Sequence, residues 1–126
     1  MASARILAVD DSPTILAMLE EILVAAGYEV LTAEDGAQAL ESARAEMPDL
    51  ILLDVMLPKL DGYRVCRLLK FDQKYKNIPV IMLTAKTEEQ SMATGLRTGA
   101  DQYLTKPVEP ERLLEAVAAE LGKAQG

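Results

Sequence analysis

The most constraining feature of this sequence is an apolar run, Leu-Ile-Leu-Leu over residues 50–53, that lies between Asp49 and Asp54. A strand with one solvated face alternates apolar and polar residues, whereas this run shows no alternation. It therefore predicts a central β-strand that is buried on both faces, as in a parallel sheet covered by helices. The run delivers one carboxylate, Asp54, at its C-terminal end, ahead of a turn that contains Pro58 and Gly62.

The sequence around this run predicts alternating strands and helices. The predicted strands cover about residues 5–9, 28–33, 49–54, 78–83 and 102–105. The predicted helices begin at Ser12-Pro13, Asp35-Gly36, Asp61-Gly62, Thr87 and Glu109-Pro110. This alternation indicates an α/β fold in which five helices wind on both sides of a five-stranded parallel sheet. We expect a single domain over residues 1–126, with its core at about 4–121 and a short tail at 122–126.

Polar side chains follow four of the predicted strands at the point where each strand ends. They are Asp10 and Asp11, Asp54, Thr84, and Lys106. The carboxyl ends of parallel strands share one edge of a sheet, which is where open α/β sheets bind ligands. Periodicity does not give the strand order. We prefer the order 2-1-3-4-5 because it makes the first and third strands neighbours and gathers these side chains.

Three carboxylates at one sheet edge repel each other unless they retain protons or bind a hard cation. Mg²⁺ fits this set, because two carboxylates and one backbone carbonyl leave room in its shell for a phosphoryl oxygen. A carboxylate beside Mg²⁺ can attack phosphorus and form an acyl phosphate. Lys106 would supply positive charge for the transferring oxygens and Thr84 a hydroxyl donor. The pattern indicates phosphoryl transfer to Asp54.

Composition limits the partners and the compartment of such a chain. The formal net charge of −7 and the pI near 4.6 disfavour nucleic acid and anionic membranes as direct partners. The apolar segment before Asp10 is too short for a signal peptide or a membrane span, so we expect a cytoplasmic protein. Cys66 is the only cysteine, which excludes an internal disulfide, and it is expected to be a small buried side chain.

Four segments together resemble the receiver domains of bacterial two-component response regulators, in particular the single-domain chemotaxis-regulator type. They are VDDSP at 9–13, LLDVMLPKLDG at 52–62, LTA at 83–85 and YLTKP at 103–107. The resemblance extends from about residue 5 to 121. It implies a flavodoxin-like fold with the 2-1-3-4-5 strand order, which is the order known for the chemotaxis member.

The resemblance also implies roles for individual residues. Asp54 is the expected phosphoacceptor, Asp11 a direct Mg²⁺ ligand, Asp10 a ligand through water, and Met56 a ligand through its backbone carbonyl, with Mn²⁺ as an alternative ion. Lys106 and Thr84 would assist the transfer. Thr84 and Tyr103 would act as switch residues, and Lys106-Pro107 would be a cis peptide. The change would be read on a face built by the fourth helix, fifth strand and fifth helix.

The resemblance further implies the class of partner. The chain has no histidine, so the phosphoryl donor would be a sensor histidine kinase or a phosphotransfer protein. The output would pass to a downstream effector protein or to an output domain of the same chain, and phosphorylation could also drive homodimerisation. The chain would be a signalling module that assists its own phosphorylation and slow dephosphorylation. Whether it is a complete protein or part of a larger regulator stays open.

Two further residues are expected to set the rate of dephosphorylation. They are Met56, two residues after the phosphoacceptor, and Lys86, two residues after Thr84. Methionine cannot orient an attacking water by hydrogen bonding, and a lysine could pair with the phosphoryl group and shield it. The hypothesis is an acyl phosphate that lives longer than in receivers carrying amide or acidic side chains at these positions.

Three other functions are compatible with parts of this pattern. A phosphohydrolase with an aspartyl-phosphate intermediate typically requires an Asp two residues after the nucleophile, where this chain has Met56. A degenerate receiver acting as a constitutive interaction module would lack some of the five site residues, which are all present. A flavodoxin-like electron carrier would need a phosphate-binding loop after the first strand and aromatic residues to stack on flavin.

The segment around the third predicted helix is locally basic in an otherwise acidic chain. It contains Arg64, Arg67, Lys70, Lys74 and Lys76. A solvated helix face accounts for such a run without any function, and a basic protein contact surface is the alternative.

Overall fold

The computed structural model describes residues 3–85 and 99–125 of the chain. Its strands are β1 (Arg5–Val9), β2 (Glu29–Ala33), β3 (Leu50–Asp54), β4 (Val80–Ala85) and β5 (Gln102–Lys106). Its helices are α1 (Pro13–Ala25), α2 (Gly36–Glu46), α3 (Gly62–Lys70) and α4 (Pro110–Gln125). The helix predicted to begin at Thr87 lies outside the described residues, so the described part of the chain contains four helices.

The five strands form one parallel sheet in the order β2-β1-β3-β4-β5, which confirms the predicted order. In the register, Val9 is opposite Leu53, and Asp54 is opposite Leu83. Thr84 in turn is opposite Thr105, one residue before Lys106. The ends of β1, β3, β4 and β5 therefore lie at the same edge of the sheet.

The helix starts are fixed by the N-cap residues that the sequence predicted. The Ser12 hydroxyl accepts a hydrogen bond from the Ile15 amide, and Pro13 occupies the first turn of α1. Asp35 caps α2 and Asp61 caps α3, each accepting from the amide three residues later. Each such bond satisfies a backbone donor that the helix itself cannot satisfy. Each cap lies in the loop that joins a strand end to the next helix, so the caps also shape the loops at the polar edge.

The sheet is covered by a helix layer on each face. One layer contains α2 and α3, which pack on Ile51 and Leu53; the other contains α1 and α4, which pack on Leu50 and Leu52. All residues of β3 are buried, as its lack of alternation predicted. Cys66 is fully buried in the α2–α3 layer, which confirms its expected place in the core. Among the helices described here, none is long and apolar enough to cross a membrane.

Candidate functional site

Three aspartates meet at the polar edge of the sheet. Asp10 and Asp11 follow β1, and Asp54 ends the neighbouring strand β3. One carboxylate oxygen from each lies within 4.8 Å of the other two. Asp10 and Asp54 are buried, with 1% and 5% of their surfaces exposed, whereas Asp11 is exposed. The predicted carboxylate cluster is therefore present, with Asp10 and Asp54 buried and Asp11 facing solvent.

Lys106 connects two of these carboxylates. Its Nζ atom lies 2.9 Å from Oδ1 of Asp54 and 3.0 Å from Oδ2 of Asp10. The lysine ends β5, which is separated from β3 by β4, so its long side chain reaches across the end of β4 to the cluster. Hydrogen bonds between charged groups at this distance are among the stronger ones in proteins. The ammonium group thus holds Asp54 and Asp10 in a fixed relation.

Asp10 is fixed from a second side by the loop that starts α1. Its Oδ1 atom accepts a hydrogen bond of 2.9 Å from the Ser12 amide, while Oδ2 faces Lys106. Both of its oxygens are therefore engaged within the protein. Sequence reasoning identified Ser12 only as a helix cap, and nothing in the sequence pattern indicated that its amide would orient Asp10.

The burial of these groups alters their protonation. Burial raises the pKa of the Asp54 carboxyl, the hydrogen bond and charge of Lys106 oppose that rise, and the charges of Asp10 and Asp11 add to it. Burial lowers the pKa of Lys106, but its hydrogen bonds to Asp54 and Asp10 outweigh burial and leave that pKa raised. Lys106 therefore remains an ammonium at neutral pH.

The charge balance of the cluster fits a divalent cation. Three carboxylates and one ammonium leave two formal negative charges within a few ångströms of each other. Oxygen ligands of this kind suit Mg²⁺, which usually binds through one or two carboxylates and keeps several waters. The solvent-facing position of Asp11 leaves one side of the cluster open for such an ion. The residues present thus fit the predicted metal.

The remaining predicted residues are distributed around this cluster. Thr84 is buried at the end of β4, next to the residue paired with Asp54. Tyr103 lies on β5 and packs against the α2–α3 layer, with its hydroxyl oxygen buried. The side chain of Met56 is 67% exposed just after β3. The Lys106-Pro107 peptide is cis, as predicted, and Lys86 lies outside the described residues.

The loop between β3 and α3 is held against the start of α2, a contact that the sequence reasoning missed. Oδ2 of the buried Asp35 lies 3.5 Å from Nζ of Lys59, and the Gly36 amide donates to the Pro58 carbonyl at 3.4 Å. A Cβ atom at Gly36 would overlap the carbonyl oxygen of Leu60. The Asp35-Gly36 pair was recognised as a helix start, and the glycine was the only available signal of this close approach.

A second glycine allows α3 to begin directly against the end of β3. The Gly62 amide donates to the Val55 carbonyl at 2.9 Å. A Cβ atom at this position would overlap the carbonyl oxygen of Asp54. The backbone that carries Asp54 is therefore in contact with the first turn of the next helix, which restricts its movement.

Comparison with curated proteins gives relatives that match nearly the whole chain. The alkaline phosphatase synthesis transcriptional regulatory protein PhoP of Bacillus subtilis is 48% identical over 121 residues, covering 96% of this chain and 50% of PhoP. The DNA-binding response regulator MtrA of Mycolicibacterium smegmatis is 44% identical over 117 residues, covering 93% of this chain and 50% of MtrA. The chain spans about half the length of these relatives.

Solved structures show the same fold. A CheY-like response regulator receiver domain protein from Methanospirillum hungatei superposes with a TM-score of 0.92 at 31% identity, covering 98% of both chains. The receiver domain of the sensor histidine kinase PA1611 from Pseudomonas aeruginosa, solved with a magnesium ion in its active site cleft, gives 0.89 at 34% identity, covering 96% and 99%. The profile of the response regulator receiver domain matches residues 6–118. The chain belongs to the response regulator receiver domain family.

Proposed function

We propose that this domain accepts a phosphoryl group on Asp54 from a partner protein. The observation that carries the proposal is the contact of Lys106 with Asp54 and Asp10 inside a cluster of three carboxylates. A lysine in this position gives the acceptor carboxylate a fixed orientation and a nearby positive charge. A buried aspartate without these features would serve only as a structural group.

The transfer replaces one bond to phosphorus by another. An oxygen of the Asp54 carboxylate attacks the phosphorus of a phosphohistidine, a P–O bond forms, and the P–N bond breaks with its electron pair leaving on the imidazole. Negative charge then rests on the phosphoryl oxygens, and the Lys106 ammonium and Thr84 hydroxyl stabilise it. A histidine kinase or phosphotransfer protein supplies the donor, since this chain contains no histidine.

Asp10, Asp11 and Asp54, together with the backbone carbonyl of Met56, would hold Mg²⁺, or Mn²⁺ in its place. When bound, the ion neutralises charge on the carboxylates and on the incoming phosphoryl oxygens. The exposed position of Asp11 allows the ion to enter from solvent. The magnesium in the PA1611 receiver structure supports this assignment.

Phosphorylation would change which protein surface is available for binding. In the proposed switch the phosphoryl group draws Thr84 inward and Tyr103 follows, which biases an existing equilibrium between two conformations. The output surface would be formed by the predicted fourth helix, β5 and the C-terminal helix α4. An effector protein, an output domain or a second copy of the chain would bind this surface. We also propose a cytoplasmic location, where such kinases act.

The proposal is tested by intact-mass measurement after incubation with acetyl phosphate and Mg²⁺. We expect a gain of about 80 Da, the mass of one phosphoryl group, that disappears with EDTA and in Asp54→Ala. Glu20→Ala, which removes an exposed carboxylate of α1, should be phosphorylated like the original protein. A persistent adduct in Asp54→Ala would place the phosphoryl group on another residue. No adduct with acetyl phosphate, together with no shift of the thermal midpoint by beryllofluoride, would favour a constitutive interaction module.

The lifetime of the acyl phosphate tests the proposed roles of Met56 and Lys86. We expect the double variant Met56→Asn, Lys86→Glu to lose phosphate several times faster than the original protein, because an amide and a carboxylate can orient an attacking water. The decay is measured from the phosphorylated mass after removal of donor. If the double variant loses phosphate no faster than the original protein, Met56 and Lys86 do not control the rate of hydrolysis.

A further inference from the structure

A surface groove between α2 and α3 exposes unusually large apolar side chains. It has a volume of about 430 Å³ and is lined by Arg44, Arg67, Leu68, Phe71 and Asp72. Phe71, the only phenylalanine of the chain, is 70% exposed, and Leu68 is 48% exposed. Single exposed apolar residues are ordinary, but here two of them share one groove with two arginines. Aromatic residues and arginine are enriched where proteins bind one another.

The charges of this surface are also unusual. Of the thirteen Lys and Arg residues, two lie outside the described residues, and seven of the other eleven are within 4.0 Å of a carboxylate. The four described cations without such a partner are Arg44, Arg67, Lys74 and Lys76. All four lie on α2, on α3 or in the turn that follows α3. Of the cations in residues 3–85 and 99–125 that lack a carboxylate, two line the groove itself, Arg44 and Arg67, although the chain has a net charge of −7.

The one carboxylate lining the groove, Asp72, forms no ion pair with the described cations. Oδ1 of Asp72 accepts a hydrogen bond of 2.8 Å from the Lys74 amide and so serves the turn after α3. Glu46, at the end of α2, is paired with Arg5 at 2.6 Å. The guanidinium groups of Arg44 and Arg67 therefore remain available to a carboxylate from outside.

We propose that this groove, which we call the α2–α3 groove, binds an acidic segment of a partner protein. An apolar side chain of that segment would contact Phe71 and Leu68, and flanking carboxylates would pair with Arg44 and Arg67. Arginine binds a carboxylate through two parallel hydrogen bonds, which gives orientation as well as attraction. Opposite charge also speeds encounter with an acidic partner. The groove is distinct from the proposed output surface on β5 and α4.

The proposal is tested by NMR titration of the isotope-labelled chain with a short synthetic peptide in which Glu alternates with Leu and a single Trp. At low ionic strength we expect localised shifts of the Arg44, Arg67, Leu68 and Phe71 amides, with a dissociation constant below about 1 mM. The same peptide with Lys in place of Glu should bind at least about tenfold more weakly.

Variants distinguish the contribution of the arginine charges to peptide binding from that of the apolar contact with Phe71. The double variant Arg44→Glu, Arg67→Glu should weaken the Glu peptide at least about tenfold, and Phe71→Ser about threefold or more. The double variant Arg112→Glu, Lys123→Glu, which makes the same net charge change on α4, should leave binding within about twofold. All variants should still be phosphorylated by acetyl phosphate, so a failure of the groove is distinguishable from a failure of the phosphoacceptor.

Several outcomes would overturn the proposal. They are shifts confined to other surfaces, equal binding of the Lys peptide, and unchanged binding by the double variant. Concentration-dependent self-association that the double variant abolishes would instead assign the groove to a second copy of the chain. Binding of a DNA oligonucleotide at the same amides, more tightly than the peptide, would assign it to phosphate.

Discussion

At the scale of single residues, Lys106 determines how the buried carboxylates can be used. The lysine sits at hydrogen-bond distance from both Asp54 and Asp10. It opposes the rise in the pKa of Asp54 that burial causes. Since only the carboxylate form of Asp54 can attack phosphorus, the lysine keeps the acceptor ionised as well as stabilising the transferred group.

Removing this ammonium should therefore slow phosphorylation and change its pH dependence. In Lys106→Ala we expect the rate with acetyl phosphate to fall by about 10²-fold at pH 7. Burial and the charges of Asp10 and Asp11 would then act unopposed, so the pKa of Asp54 would rise further and the acid limb of the rate profile would move to higher pH. The measurement is the initial rate of mass gain from pH 4 to pH 8.

Lys123→Ala, which removes an exposed lysine of α4, is the matched control and should keep both rate and profile. A Lys106→Ala profile that is slower but not displaced would mean that the lysine acts on the transferred group alone. A variant with unchanged rate would contradict the role proposed for Lys106.

The sequence could predict which residues form this cluster but not how they contact each other. Asp10, Asp54 and Lys106 were identifiable because each lies at the end of a predicted strand. The contact of Lys106 with two carboxylates depends on how far its side chain extends past β4. The hydrogen bond from the Ser12 amide to Asp10 depends on the geometry of the loop. Neither property leaves a periodic signal in the sequence.

At the scale of elements, the start of α2 supports the loop that follows β3. Asp35 binds Lys59 of this loop, and Gly36 lies against Pro58 and Leu60. The pKa of Asp35 is lowered mainly by the Gln38 amide that it caps, and Lys59 contributes to the lowering. Such an ion pair joins distant parts of the sequence, which is why residue patterns did not predict it.

A side chain at position 36 should displace this loop. We expect Gly36→Ala to reduce the free energy of unfolding by about 1–3 kcal/mol, because the new methyl group meets backbone that cannot turn away. The same displacement should weaken Mg²⁺ several-fold, since the loop carries the proposed Met56 carbonyl ligand. Urea unfolding gives the first quantity and calorimetric titration of Mg²⁺ the second.

Gly122→Ala is the control, because a Cβ atom there meets nothing within 4 Å and the position lies inside α4. It should stabilise the protein by up to about 1 kcal/mol through helix propensity and leave Mg²⁺ affinity unchanged. Gly36→Ala with normal stability and normal Mg²⁺ affinity would show that the loop can move away without effect.

At the scale of the whole molecule, the sheet brings together charges that oppose folding. The two helix layers and the buried strand β3 stabilise the fold through apolar contacts. The polar edge lowers the stability of the fold at neutral pH, because the pKa of Asp54 is higher in the folded protein than in the unfolded chain. Ionising Asp54 therefore costs folding free energy, and the stability associated with its protonated form is lost as pH rises through the folded pKa.

A divalent ion should compensate this cost. We expect Mg²⁺ at about a hundred times its dissociation constant to stabilise the folded protein by about 2.7 kcal/mol, seen as a higher thermal midpoint. Asp11→Ala should lose most of this effect and be slightly more stable without metal, because a repelling charge is gone. Glu20→Ala should respond to Mg²⁺ like the original chain. An equal response in Asp11→Ala would place the ion elsewhere.

Local features of the sequence predicted the strands and helices of this molecule, whereas the strand order depends on contacts between distant segments. Apolar runs such as residues 50–53 and N-caps such as Asp61 act within a few residues, so the strands and helix starts followed from them. Pairing of β1 with β3 joins segments far apart in the chain, and only the polar strand ends and the family resemblance indicated it. The exposure of Phe71 was likewise not predicted, because a single apolar residue after a helix has no periodic context.

The role of Asp54 as phosphoacceptor is tested most directly by chemical identification of the phosphorylated residue. An acyl phosphate is reduced by borohydride to an alcohol with release of phosphate, so Asp54 would become homoserine with a loss of about 14 Da. We expect this change in the peptide containing Asp54, only after incubation with donor and Mg²⁺. Reduction at Asp10, Asp11 or another carboxylate while Asp54 stays unchanged would contradict it.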